Sequence, residues 1–225
     1  MPPLDQTAAP DFPPTPRTRI KRLHQRACYD RKTVHAILDA GLECHVGYTI
    51  DEQPYVTATA YWREGDWVYW HGSSASRALR RQKSAVPVCF TVTLMDGLVL
   101  ARSGFHSSIN YRSVMAFGSA TLIEDPAEKL RQLELFVERL TPGRWAELRP
   151  VEAQELKATT VLGLELKEVA AKVRTGPPAD DEPDYDLDVW AGEVPIRRVI
   201  GTPVDDGRLK TGVTEPDYLK RVAID

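Results

Sequence analysis

Residues 66–81, DWVYWHGSSASRALRR, put a histidine, a glycine and three serines between an aromatic strand and an arginine-rich helix. That order suits anion chemistry. Gly72 lets the chain leave the strand with unusual backbone angles, and Ser73, Ser74 or Ser76 can cap the helix. The first free N–H groups then face outward at the positive end of the helix dipole, and Arg77, Arg80, Arg81 and Lys83 add full charges. Just upstream, Tyr61, Trp62, Trp67, Tyr69 and Trp70 supply a flat aromatic wall. A planar ligand carrying a phosphate fits this pattern, and so does an ordinary capped surface helix with solvated arginines.

Other reactive side chains are less well organised. His106 lies among Ser103, Ser107 and Ser108, yet no G-x-S-x-G elbow accompanies it, so a polar loop is expected there and not a hydrolase. His24, His35, His45, His71 and His106 have no metal-ligand spacing, and no metal site is expected. Cys28, Cys44 and Cys89 are odd in number and lack C-x-x-C spacing, which argues against a disulfide framework and a thiolate metal site.

The elements that must hold the 66–81 segment are set by periodicity and punctuation. Asp30 caps a helix running to Ala40, with Val34, Ile37 and Leu38 on one face. From Glu43 the period becomes two, with Cys44, Val46, Tyr48 and Ile50 alternating with polar or small residues up to a turn at 51–54. Strands at 55–62 and 67–71 complete a meander. VPVCFTVTLMDGLVLAR at 86–102 reads as two runs joined by an Asp96-Gly97 hairpin, and 111–124 as a long strand bent at Gly118. Asp125-Pro126 opens a helix with Leu130, Leu133, Phe136, Val137 and Leu140 on one stripe, a short helical piece comes at 152–157, and 161–173 reads as a last strand.

The chain has 225 residues and net charge −3, enough for one substantial core and with nothing to mark the whole molecule as a nucleic-acid or anionic-membrane binder. Residues 1–19, with six prolines, predict a mobile arm, 20–175 the folded domain and 176–225 an acidic extension without a second core. No apolar run approaches a membrane span and the N-terminus lacks a secretion profile, so a cytoplasmic protein is expected. The fold class expected is mainly β (α+β): a split β-barrel of six to seven mostly antiparallel strands with peripheral helices.

The segments QPYVTATAYW (53–62), DWVYWHGSSASRALR (66–80), PVCFTVTLMDGLVLARS (87–103) and NYRSVMAFGSA (110–120), with the helix opening at Asp125, resemble the FMN-binding split-barrel proteins related to pyridoxamine 5′-phosphate oxidase, especially their nitroimidazole-reductase-like branch. The resemblance spans about residues 26–174. It implies that Thr57, Ala58 and Thr59 lie along an isoalloxazine edge, and that Trp70, His71, Gly72, Ser73, Ser76 and Arg77 surround the ribityl phosphate. Arg112, Ser113 and Val114 would reach the ring from the other subunit of a homodimer, and His71 would donate a proton or orient a substrate beside the FMN.

The implied activity is an FMN-dependent oxidoreductase taking electrons from a nicotinamide donor to a small oxidised substrate. Thr57 stands where the oxidase proper has a basic residue, Ala78 comes after Arg77, and no C-terminal substrate arginine is evident, although Trp190, Arg197 and Arg198 lie in that region. Those departures argue against pyridoxamine phosphate oxidation. They leave deazaflavin or haem binding, or a non-catalytic flavin sensor, as alternatives.

Overall fold

A computed structural model describes residues 10–222. Strand β1 (Ala27–Cys28) leads into helix α1 (Arg31–Ala40), whose N-cap Asp30 accepts the Thr33 amide at 2.8 Å. Strands β2 (Glu43–Ile50), β3 (Gln53–Glu64) and β4 (Trp67–Ser73) come next, then helix α2 (Arg77–Gln82). After them stand β5 (Pro87–Leu100), β6 (Ser108–Ser119), β7 (Thr121–Leu122) and helix α3 (Pro126–Leu140), capped by Asp125 onto the Glu128 amide. Helix α4 (Ala153–Ala158), β8 (Thr159–Glu165), β9 (Glu168–Arg174) and β10 (Gly192–Pro195) complete the order.

The strands form one antiparallel sheet in the order β1-β9-β6-β5-β2-β3-β4-β8-β7, with β10 added to β5. Long strands change partner partway and so curl the sheet. Residues 53–60 of β3 pair with β2, whereas 61–64 pair with β4. The chain likewise moves from β6 to β7 and from β8 to β9 across the split. Inside the curl lie Val34, Ile37, Cys44, Val46, Tyr61, Trp70, Phe90, Val114, Ala116 and Leu162. A smaller cluster of Trp62, Tyr69 and Val161 sits beneath Leu133 and Phe136 of α3.

Several expectations change. Among the described residues the strand count is ten, not six or seven: the pieces read at 111–124 and 161–173 each break where the chain crosses the split, β1 and β10 are added, and the two runs read at 86–102 form the single strand β5. Gly118 marks the first crossing: a Cβ there would come within 2.6 Å of Leu164 Cδ1. Asp96-Gly97 is not a hairpin turn but a bulge inside β5, since β6 pairs with residues on both sides of it and the register slips between Met95 and Gly97. Strand β4 does not stop at His71; it continues through Gly72 and Ser73, held by Thr160 and Thr159 of β8.

The termini also differ from the reading. Of the expected arm, residues 1–9 lie outside the described residues, but Phe12 is buried in the core and its amide donates to the Tyr29 carbonyl at 3.0 Å. The acidic extension adds no second core and instead runs over the barrel. Asp180 accepts the Arg102 amide and guanidinium, β10 pairs with β5, and Tyr218 is buried against Arg144 and Glu147. On α3 the fully buried residue is Gln132, whereas Leu130 of the expected stripe is exposed.

Strand alternation leaves an outer face of modest polarity. His45, Thr91, Met115 and Ala170 lie in one cross-strand row with Ala58, and Gly47, Cys89 and Phe117 lie in the next with Val56. Val56 is 70% exposed and Met115 44%.

Candidate functional site

Where β3 and β4 diverge and α2 crosses them, the surface sinks into a recess of about 150 Å³. Its walls are Val46, Thr57, Ala58 and Thr59 on the sheet, Trp70, His71, Gly72 and Ser73 on β4, and Ser76, Ala78, Leu79 and Gln82 from α2. Eight residues singled out in the sequence therefore meet in one place, although they come from three elements. Sites that enclose a whole drug-sized ligand run to roughly 300–1,000 Å³. The recess of one chain is a partial site by that measure.

Local chemistry explains the shape. Ser76 caps α2 by accepting the Leu79 amide at 3.4 Å, while Ser73 Oγ accepts the Ala75 amide at 3.2 Å. Gly72 serves by its small size and not by an unusual backbone angle: it lies within β4, and a Cβ there would come 2.9 Å from Leu79 Cδ1. Thr57 Oγ1 and Tyr48 Oη share a hydrogen bond at 3.1 Å, and Tyr48 stacks on Tyr55. The guanidinium of Arg77 lies 5.5 Å from the Tyr55 ring centroid, on the outer turn of α2. Arg81 is committed elsewhere, donating its Nε–H to the Thr49 carbonyl at 3.0 Å.

Gln82 is the residue that sequence reasoning missed. It is fully buried, and its Oε1 accepts the Trp70 indole N–H at 2.9 Å. That bond fixes which way the amide faces. Among the described residues the Gln82 amide nitrogen donates to nothing, although Gln82 lines the recess. A donor held in a fixed orientation and open to the recess is a directional contact for an acceptor on a ligand. The available sequence signal is its spacing of three from Leu79, which puts both on the inner face of α2.

His71 borders the recess through β4 while its ring packs 4.5 Å from the Phe136 centroid and 5.8 Å from that of Trp62. Its Nδ1 is buried without a hydrogen bond, and burial pushes its pKa below the ordinary 6.5, so the imidazole is neutral at pH 7. The other predicted residues lie away from this recess within the same chain. Arg112 grips Asp96 at the β5 bulge with bonds of 3.0 and 2.9 Å, and Ser113 Oγ donates to the Lys172 carbonyl at 3.3 Å. Val114 points into its own core, so its side chain is spent there. His106 pairs with Asp181 at 3.3 Å, and no group of three or more His, Cys, Asp or Glu among the described residues is placed to hold a metal ion.

The curled antiparallel sheet and a partial recess under a short capped helix define a split-barrel protein with a shallow, open recess. Residues 30–173 match the family described as pyridoxamine 5′-phosphate oxidase. Among solved structures, the flavocytochrome Anf3 of Azotobacter vinelandii is 47% identical, covering 95% of this chain and 100% of that one with a TM-score of 0.91. A protein from Mycobacterium smegmatis described as FAD and heme binding is 32% identical, with coverage of 88% and 97% and a TM-score of 0.83. A 5-nitroimidazole antibiotic resistance protein, so described, from Bacteroides thetaiotaomicron shares the fold at 23% identity, with coverage of 65% and 86% and a TM-score of 0.53. No curated protein matches the chain. The chain belongs to the pyridoxamine 5′-phosphate oxidase family.

Proposed function

We propose that the recess holds part of the ring system of a flavin, with FMN as the flavin that the nearby serines and Arg77 suit, and that the protein is a homodimeric oxidoreductase. The observation that carries this reading is the Gln82 amide, oriented by Trp70 and unspent in a wall of Ala58, Ala78 and Leu79. A flavin's pyrimidine end offers carbonyl and nitrogen acceptors to such a donor, and Thr57 and Thr59 add hydroxyls along the same edge. Ser73, Ser76 and Arg77 stand where a ribityl phosphate would need partners. When bound, the flavin supplies the electron transfer; the chain orients it, covers one face and keeps water from it. Electrons would pass from a nicotinamide donor to a small oxidised substrate.

Two chains are part of the reading because one recess is too small for the whole cofactor, and the outer face carrying Val56, Ala58 and Met115 adjoins it through Ala58. A second copy docked there would bring its own Ser113, which lies on the outward-facing side of β6, towards the neighbouring ring.

A second reading, that a haem is bound as well, is favoured by the names of the Azotobacter and M. smegmatis structures. The donor it requires is a neutral imidazole with no competing partner. His71 meets that description on the α3 side of the sheet and not inside the flavin recess: its ring lies beside Trp62 and Phe136, and among the described residues neither of its ring nitrogens is hydrogen-bonded.

Absorption of the purified protein tests both readings at once. A flavin spectrum, with FMN or FAD released on denaturation, is expected, and a Soret band would add the haem. A colourless protein that takes up neither FMN nor FAD in a calorimeter sinks the flavin reading. Gln82→Leu should weaken flavin binding by about tenfold or more.

A further inference from the structure

After β10 the chain departs from every other segment of the molecule. Each residue from 193 to 215 is exposed, and Val199 and Val204 reach 81% and 92%. Ile200, Leu209 and Val213 are about half exposed. Yet both ends of the stretch are tied down. At its start β10 pairs with β5 from Gly192 opposite Leu100 to Pro195 opposite Gly97, and the Ile196 amide reaches the Asp96 carbonyl at 3.0 Å. At its finish Tyr218 is buried, accepting from Arg144 at 2.6 Å and donating to Glu147 at 2.6 Å.

Between those anchors the backbone bonds are local turns, at Asp205, Asp206 and Lys210. A long connection with no secondary structure is uncommon in a compact domain and is usually either functional or a linker, and anchoring at both ends sets this one apart from a linker. Apolar side chains spaced along it have no cover from their own chain.

We infer that residues 196–215 form a strap that closes over a second copy of this chain. Three observations select that occupant. The arch returns to its own body, so it encloses a partner of fixed position instead of trailing towards varied ones. It leaves the sheet beside Met95, at the margin of the outer face whose exposed Val56, Met95 and Met115 provide an apolar counterpart in the neighbouring copy. The recess that this face adjoins is also incomplete in one chain. Two-fold docking through the outer face would place each copy's strap against the other's flank, burying both sets of apolar side chains. The inference rests on the two-chain part of the proposed function, and its test separates strap, dimer and flavin.

The strap contains four basic cleavage sites, Arg197, Arg198, Arg208 and Lys210, all exposed in the single chain. In the full-length protein at concentrations where sedimentation shows a dimer, trypsin should leave them intact, and dilution to monomer should open them. The variant Val199→Asp/Val204→Asp/Leu209→Asp should keep the circular dichroism of the native fold, weaken the dimer by more than about tenfold and become cleavable. Flavin content per chain is measured alongside. Rapid cutting of a wild-type dimer that stays dimeric, or an unchanged dimer constant in the triple variant, overturns the strap. A monomeric wild-type protein that still binds flavin overturns strap and dimer together and spares the flavin. A dimer with a protected strap that remains colourless supports the strap and rejects the flavin.

Discussion

Trp62 and Trp70 sit on opposite faces of the β3–β4 pair and use the same device, an indole N–H given to a buried glutamine from a covering helix. Under α3, Trp62 donates to Gln132 Oε1 at 2.7 Å; under α2, Trp70 donates to Gln82 Oε1 at 2.9 Å. The two glutamines differ in how they use their other end. The Gln132 amide nitrogen is fully used, donating to Glu64 at 2.8 Å and Glu128 at 3.0 Å, and Arg131 ties both carboxylates. The Gln82 amide nitrogen is left over, beside a recess. One tryptophan's glutamine is spent inside a closed network, and the other's keeps a donor open to the recess.

Removing the rings tests the shared half of this comparison. Trp62→Ala and Trp70→Ala should each cost about 3–5 kcal/mol in urea unfolding, since both side chains are fully buried. A clear inequality would break the parallel. Gln132→Leu and Gln82→Leu test the unshared half with smaller effects. Each leaves an indole N–H without its acceptor and should cost about 1–3 kcal/mol. Flavin affinity, measured by titration of the stripped protein, should fall only in Gln82→Leu. Equal affinity losses in both variants would end the distinction.

The smallest effects lie in pH. Burial holds the His71 pKa below 6.5 in the folded chain, so unfolding takes up a proton whenever the pH lies between the folded and unfolded values. Stability from this source is complete above about pH 6.5 and falls as the pH drops towards the folded value; His71→Phe should flatten part of that decline, the remainder coming from His35, which burial also pushes below 6.5. Hydrogen bonds from Arg131 and Gln132 push Glu128 down to about 2 from 4.5. Its contribution is present above about pH 4.5 and is lost as the pH falls through about 2. Melting temperatures across about pH 2–8 should therefore show two separate declines, and a single decline unaltered by His71→Phe would contradict the assignment.

Features governed by neighbours in sequence were legible in the sequence alone. The Asp30 and Asp125 caps, the alternation of β2 and the helix after Pro126 all arise from local chemistry. Much of the recess lining was legible too, because Thr57, Trp70, Gly72 and Ser76 stand in segments singled out from the sequence, inside the stretch that matches the family. The features that escaped depend on distant partners. Asp96-Gly97 has the composition of a turn, yet a twelve-residue partner strand, β6, runs past it and enforces a bulge. Gln82 and Gln132 look like surface amides on polar helices, and only the tryptophans across the barrel reveal them as core. Phe12 similarly stands in a proline-rich run whose composition suggests disorder, and its burial is decided by the wall it meets.

The pairing of β10 with β5 has a bearing on how the chain stays in solution. Strand β5 offers a single edge to two neighbours, β2 at Cys89 and Thr91 and β10 from Gly97 to Leu100. A chain shortened after residue 175 would retain the part that matches the family and bare the second stretch of that edge, with Leu98 and Leu100 beside open amides. Bare edges of this kind recruit other strands. The acidic extension thus covers that edge and leaves it no free amides for another strand to pair with.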